Sequence, residues 1–419
     1  MKHYHISILF FVGFFLVFGV WGPPSALALD EFTQFGVAIA SPPSLNARSA
    51  ILIDAATGEV LYEKAADLAL PPASLTKLVT LHVVMEEIKA GRLPPDEIID
   101  IDAKDCSPYI PYGSSLMYLQ PGMQVSVRDL MLGAAVVSGN DAAYALARRV
   151  AGSNEKFAEM MNSAVRQLGF EHMSFVEPSG LSEKNLVTAR DFALFCKEYI
   201  ELHPKALTEL HLVKSIHFPR PEHATAQYYP DGVILQYNRN SLIFSYEGAD
   251  GLKTGYIIEV GYNMAATAKR SGNRFIAVLL AGSSTPYADG GTLRTKDSKA
   301  LLDWAFANFS TARPGYVMPE PLRVWFGKSI HVQPEPSEEP AVTVPKMLAD
   351  RVTARIEVPK SVKAPLHEGE RIGRIVYEID HTEIGSVNLV SPQEIPRGGF
   401  FRIILDSVLR FFASIFGQV

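Results

Sequence analysis

Ser74 and Lys77 stand three residues apart in Pro72-Ala73-Ser74-Leu75-Thr76-Lys77. On a helix that spacing puts a hydroxyl and an amine on one face, close enough to meet. A serine hydroxyl is a poor nucleophile until a base takes its proton. A lysine can be that base if burial disfavours its ammonium form. The apolar residues Leu78, Val79, Leu81, Val83 and Val84 follow immediately and supply the burial. Two further groups belong to the same chemistry. Ser138-Gly139-Asn140 falls at an expected helix–helix connection, where the glycine allows a tight turn and two polar side chains can project into a cleft. Lys253-Thr254-Gly255 lies on an expected strand, where the glycine lets a substrate backbone approach and the lysine and threonine can hold a carboxylate. Each motif alone reads more readily as a chance match, a capped turn or a solvated strand end. Together, in the order S-x-x-K, S-G-N, K-T-G, they form one constellation for nucleophilic acyl transfer.

The elements that must position these residues are legible from pattern. Ser49 to Asp54 and Val60 to Glu63, joined through Ala56-Thr57-Gly58, predict a hairpin. Pro71-Pro72 introduces an apolar helix from about Ser74 to Ala90. Ser126 is placed to cap a helix from Val127, and Asn140 or Asp141 to cap the next one through Val150. Helical periods also cover Asn154 to Leu168 and Ala189 to Leu202. Beyond residue 230 the pattern returns to strands, with Gly261 to Lys269 and Arg274 to Leu280 flanking the turn Ser271-Gly272-Asn273. A helix over Lys296 to Phe309 closes the region. If the early and late strands share one sheet, the fold is α+β, an antiparallel sheet with a helical insert. Residues 318–396 alternate in short strands broken by proline and glycine, which predicts a small all-β domain.

The two ends of the chain carry other signals. Lys2, the apolar run Ile6 to Val20 and Ala26-Leu27-Ala28 have the pattern of a signal peptide over residues 1–28, so the remainder is expected outside the cytoplasm. Residues 398–419 predict an amphipathic helix. Arg402, Asp406, Arg410 and Ser414 make one polar stripe, apolar residues cover the rest, and Gly398-Gly399 reads as a flexible joint. Charges in its middle, at about 2.5–3.5 kcal/mol each in a bilayer centre, disfavour spanning. Lying in the membrane interface with the stripe among the headgroups fits better. Docking on its own domain or at a dimer contact is the other reading.

Composition sets limits. In 419 residues, 47% are hydrophobic and 20% charged, as in an ordinary globular protein long enough for two domains. A net charge of −6 gives no footprint for nucleic acid. Cys106 and Cys196 lack the setting of a reactive thiol. They could pair in an oxidising compartment, although Cys196, among Phe192, Ala193, Leu194 and Phe195, reads as a small core hydrophobe. Among eleven histidines there is no H-E-x-x-H. His367-Glu368-Gly369-Glu370 matches H-x-x-E but falls in an expected turn, so neither a metal nor another cofactor is expected in the reaction.

The chain resembles the low-molecular-mass penicillin-binding proteins of the D-alanyl-D-alanine carboxypeptidase family, serine peptidase family S11. Besides the triplets, the resemblance rests on Asp141-Ala142, Pro178-Ser179-Gly180-Leu181, Thr188-Ala189-Arg190-Asp191, Asp250-Gly251-Leu252 and Gly261-Tyr262-Asn263. It implies a DD-peptidase/β-lactamase-like catalytic domain over 37–312. It also implies that Ser74 is the acylated nucleophile and Lys77 its base, with Ser138 and Asn140 relaying protons and holding substrate. Lys253, Thr254, Gly255, Tyr256 and Arg294 are implied as the substrate-binding set, with backbone N–H groups of Ser74 and Tyr256 as the oxyanion hole. The implied partners are peptidoglycan stem peptides ending in D-Ala-D-Ala, β-lactam antibiotics as inhibitors, and the inner-membrane surface through the C-terminal helix. One residue departs from the pattern: Ile257 stands where the family usually places threonine. A class A β-lactamase would need a loop glutamate, as in E-x-x-L-N, and the chain has none. D,D-endopeptidase action on cross-links, which uses the same machinery, and a silent muropeptide binder are the remaining rivals.

Overall fold

The computed structural model describes residues 29–106, 109–219, 232–283 and 289–415. The expected signal peptide, residues 1–28, lies outside them. The first domain is built on strands β1 (Ser49–Asp54), β2 (Val60–Lys64), β3 (Ala249–Ile257), β4 (Gly261–Arg270) and β5 (Asn273–Gly282). They form one antiparallel sheet in the order β2-β1-β5-β4-β3, so the early and late strands do meet. Helices α1 (Thr76–Lys89), α2 (Val127–Val136), α3 (Asn140–Ala151), α4 (Asn154–Gln167) and α5 (Ala189–Leu202) make up the insert, and α6 (Gly290–Asn308) follows the sheet.

Alternation along β1 shows how the layers are divided. Ile51 and Ile53 enter the core shared with the helical insert, whereas Ala50 and Leu52 enter the core beneath α6. The β4–β5 hairpin closes through Ser271 and Gly272, both at positive φ, the conformation a two-residue turn requires.

Three local expectations are corrected. Gly139, not Asn140 or Asp141, occupies the N-cap of α3, and no side chain caps it. Both polar side chains are turned into tertiary contacts instead: Asn140 toward Lys77, and Asp141 toward the backbone N–H groups of Met117 and Leu119. Secondly, α6 begins at Gly290 and not Lys296, because Asp289 accepts from the Thr292 N–H and starts the helix through two glycines. Thirdly, Gly398 is not a free joint, since its N–H donates to the Phe326 carbonyl.

The all-β region holds a four-stranded and a three-stranded sheet over two small cores. Strand Phe309–Ala312 pairs with Val342–Pro345; Phe309 lies in the α6 core and Ala312 in the β-region core. Buried Asp54 fastens this junction. It accepts from the Thr311 hydroxyl at 2.6 Å and the Thr343 hydroxyl at 3.0 Å.

Helix α7 (Phe400–Ile415) ends the described chain. The carboxylate of its polar stripe does not face outward as expected. Asp406 is fully buried, accepting from Arg323 at 3.0 Å and from the Phe326 N–H at 2.7 Å, with Arg402 at 3.1 Å. Arg323 is the physical reason, a cation on the domain that draws the stripe's carboxylate inward. Phe400, Phe401, Ile404, Leu405, Val408, Phe411 and Phe412 are therefore the exposed side. No helix among the described residues is long and apolar enough to cross a membrane.

Both cysteines are buried and free.

Candidate active site

Ser74 sits in a tight turn, Ala73–Leu75, that runs directly into α1. Ala73 has φ +50, a conformation that non-glycine residues seldom adopt. The surroundings determine it. A Cβ on Gly180 would lie 1.9 Å from the Ala73 carbonyl oxygen, and one on Gly255 would lie 2.8 Å from the Pro72 oxygen. The nucleophile turn is thus clamped between a loop glycine and a strand glycine. Asn263, fully buried on β4, completes the clamp by donating to the Pro71 carbonyl at 2.9 Å while accepting from the Ala281 N–H.

Behind Ser74 lies Lys77, fully buried. Its Nζ is 3.1 Å from Ser74 Oγ and 2.6 Å from each of Asn140 Oδ1 and the Ser179 carbonyl. Burial lowers its pKa to about 7, while the negative charges of Glu177 and Asp141 pull it the other way. The amine is therefore half deprotonated near neutrality and already aimed at the hydroxyl.

Ser138 and Asn140 border the same cleft from the α2–α3 connection, with Ser138 at φ +63. Buried Lys253 on β3 has its pKa held well below the ordinary value by burial, then by the nearby charges of Lys77, Arg294 and Arg239. Thr254, Gly255 and Tyr256 line the cleft beside it. Arg294, on the first turns of α6, donates to the Gly255 carbonyl at 2.9 Å, packs over the Tyr262 ring, and lines the cleft as well. All nine residues expected from the triplets and from the resemblance converge. Seven of them, Gly255 included, border one cavity of about 620 Å³ with Tyr112, Ser115 and Arg239, and buried Lys77 and Lys253 lie directly behind it. Ile257, the departure from the family pattern, is buried against the helical core while touching the cleft.

Some contributors carried no usable signal in the sequence. Glu177 accepts from the N–H groups of Ser179, Gly180 and Ser182, the Ser179 hydroxyl and the Asn185 amide. That holds the loop whose Ser179 carbonyl receives Lys77. Arg239 stands alone in a polar stretch, and only the folded chain brings it near Lys253.

A nucleophile turn at the head of a buried helix, a lysine base beneath it and a strand edge opposite define a serine acyl-transfer enzyme of the penicillin-recognising class. The chain belongs to the D-alanyl-D-alanine carboxypeptidase family: that family's model matches residues 37–284, and the model of the penicillin-binding protein 5 C-terminal domain matches residues 306–397. It is 35% identical to the D-alanyl-D-alanine carboxypeptidase DacC of Escherichia coli, over 94% of each chain. Among solved structures it is similar to penicillin-binding protein 5 of Haemophilus influenzae, at 33% identity and a TM-score of 0.71, covering 85% of this chain and all of that one. It is also similar to penicillin-binding protein D2 of Listeria monocytogenes in its ampicillin-bound form, at 30% identity and a TM-score of 0.53, covering 64% of this chain and 100% of the other.

Proposed function

We propose that this chain is a serine-type D-alanyl-D-alanine carboxypeptidase that removes the terminal D-alanine from peptidoglycan stem peptides through an ester on Ser74. The observation that carries this is the buried Lys77 amine, 3.1 Å from Ser74 Oγ with a pKa near 7. In its neutral form Nζ takes the hydroxyl proton as Oγ attacks the carbonyl carbon of the penultimate D-alanine. Negative charge then gathers on the carbonyl oxygen. Backbone N–H groups of Ser74 and Tyr256 receive it, each worth about 3–4 kcal/mol. The close passage of β3 past the Ser74 nitrogen, 3.2 Å from a Cβ built on Gly255, supports that pairing.

When the tetrahedral centre collapses, the C–N bond breaks and the proton held by Lys77 passes by way of Ser138 to the departing D-alanine amine. Asn140 keeps the lysine oriented. Thr254 and Arg294 hold the terminal carboxylate, with the Lys253 amine buried beside them. Water, deprotonated in turn by Lys77, hydrolyses the ester and restores Ser74. A β-lactam is attacked in the same way at its ring amide. Its leaving nitrogen stays tethered, which blocks water and makes it an inhibitor.

Incubation with a pentapeptide ending in D-Ala-D-Ala should release D-alanine, and Ser74→Ala should abolish both release and penicillin labelling. Splitting of a cross-linked dimer into monomers, with no D-alanine released from the pentapeptide, would mean an endopeptidase instead.

We further infer that the protein works outside the cytoplasm, attached to the outer face of the inner membrane. The signal-peptide pattern at the N-terminus supports export. The apolar side of α7, turned outward because its polar stripe is occupied by Arg323 and Phe326, supports attachment in the lipid interface. Cell fractionation with and without residues 398–419 tests both.

A further inference from the structure

A second group of polar side chains gathers far along α1 from the nucleophile. His82 and Glu86 are one helical turn apart and share a face. His203 ends α5 and meets them there. His82 Nδ1 is 2.9 Å from His203 Nε2, which is 3.8 Å from Glu86 Oε1, and one ligand atom from each of the three residues lies within 4.8 Å of the others. Both rings are buried and held by edge-on packing, His82 against Phe195 and His203 against Tyr199.

The hydrogen bonding of this group does not close. A neutral imidazole nitrogen carries either a proton or a lone pair, never both. If His203 Nε2 donates to His82 Nδ1, nothing donates to Glu86. If His82 donates instead, Glu86 faces a second lone pair. Glu86 Oε1 is accordingly shut off from water with no hydrogen-bond partner. Lys89 Nζ stands 3.6 Å away on a largely exposed side chain, too far to donate.

We propose that His82, Glu86 and His203 bind a divalent first-row cation of the zinc class. Such an ion accepts one lone pair from each of the three atoms and removes the unmet acceptor. Two imidazoles and a carboxylate are a ligand set this ion takes, with a fourth position left for water. A cavity of about 470 Å³ bordered by His82, Glu86, Ser163 and Gln167 supplies room for that water. Nitrogens on a tetrahedral zinc stand roughly 3.3 Å apart, so the rings need part by only a few tenths of an ångström. The ion would join α1 to the end of α5, acting as a clip on the helix whose other end carries Ser74 and Lys77. It has no part in the acyl transfer.

The test uses the full chain without a histidine tag, stripped by chelator and titrated with Zn²⁺ calorimetrically, with Co²⁺ as an absorbing probe. One equivalent should bind, Tm should rise by several degrees, and Co²⁺ should show visible absorption bands. Glu86→Gln and His203→Gln should each weaken binding by about tenfold or more and lose those bands, with penicillin labelling unchanged. Glu86 is partly exposed, so the amide variant keeps the test open should His203→Gln not fold. Binding equal in wild type and Glu86→Gln, or no stoichiometric binding up to about 100 µM Zn²⁺, overturns the site.

Discussion

Gly180 and Ala73 touch backbone to backbone: the Cα hydrogen of Gly180 points where a methyl group would stand 1.9 Å from the Ala73 carbonyl oxygen. Gly180 also has φ +86, which disfavours any side chain there. The loop carrying the Ser179 carbonyl and the turn carrying Ser74 can be this close only because the residue between them has no Cβ.

Gly180→Ala is therefore expected to push the nucleophile turn off its position. Misplacement of about 1 Å costs on the order of 100-fold in rate. Acylation by fluorescent penicillin should fall by that order, while circular dichroism still reports the fold. Unchanged labelling would show the clamp to be dispensable.

The Lys77 pKa sets a pH profile. Below about 7 the amine is protonated and cannot take the Ser74 proton; above it the neutral form dominates. The acylation rate should rise about tenfold per pH unit on the acid side and level off beyond the midpoint. Lys77→Ala should remove the limb along with the activity. A flat profile between pH 5 and pH 9 would be incompatible with Lys77 as the base.

Glu177 acts on that midpoint from a distance. Its negative charge raises the Lys77 pKa against the effect of burial. Neutralising it in Glu177→Gln should move the midpoint of the acylation profile to lower pH. The variant also loses charged hydrogen bonds to the Ser179–Ser182 loop, so a stability loss of about 1.5–3 kcal/mol is expected in urea unfolding. An upward shift of the midpoint would contradict the electrostatic role.

For α7, two substitutions separate docking from lipid contact. Phe401→Glu with Phe412→Glu should abolish co-sedimentation with anionic vesicles and leave penicillin labelling intact. Asp406→Asn should instead weaken the hold on Arg323 and the Phe326 N–H, lowering Tm without removing the apolar side. Vesicle binding that survives the double glutamate variant would place the lipid contact elsewhere.

What the sequence made legible was local. Ser74 and Lys77 are linked by helical spacing alone, and the S-G-N and K-T-G triplets announce a turn and a strand edge. The hairpin through Ser271 and Gly272 is equally plain, because positive φ is written into its residues. What stayed hidden depends on partners distant in the chain. Asn263 looks like any strand asparagine until Pro71 is placed beside it, and Asp141 like a helix cap until Met117 and Leu119 present their N–H groups. The amphipathic pattern of the last helix was clear, but not its orientation. A polar stripe satisfies headgroups or Arg323 equally well, and only the folded domain decides between them.

With the rings of Phe400, Phe401, Phe411 and Phe412 left uncovered, the molecule has the character of a surfactant. Deprived of lipid or detergent, it lowers its free energy by pressing this oily flank against that of a second copy. Its apparent mass in aqueous buffer should then track concentration and detergent, and an oligomer seen under such conditions reports on the solvent before it reports on any built subunit contact.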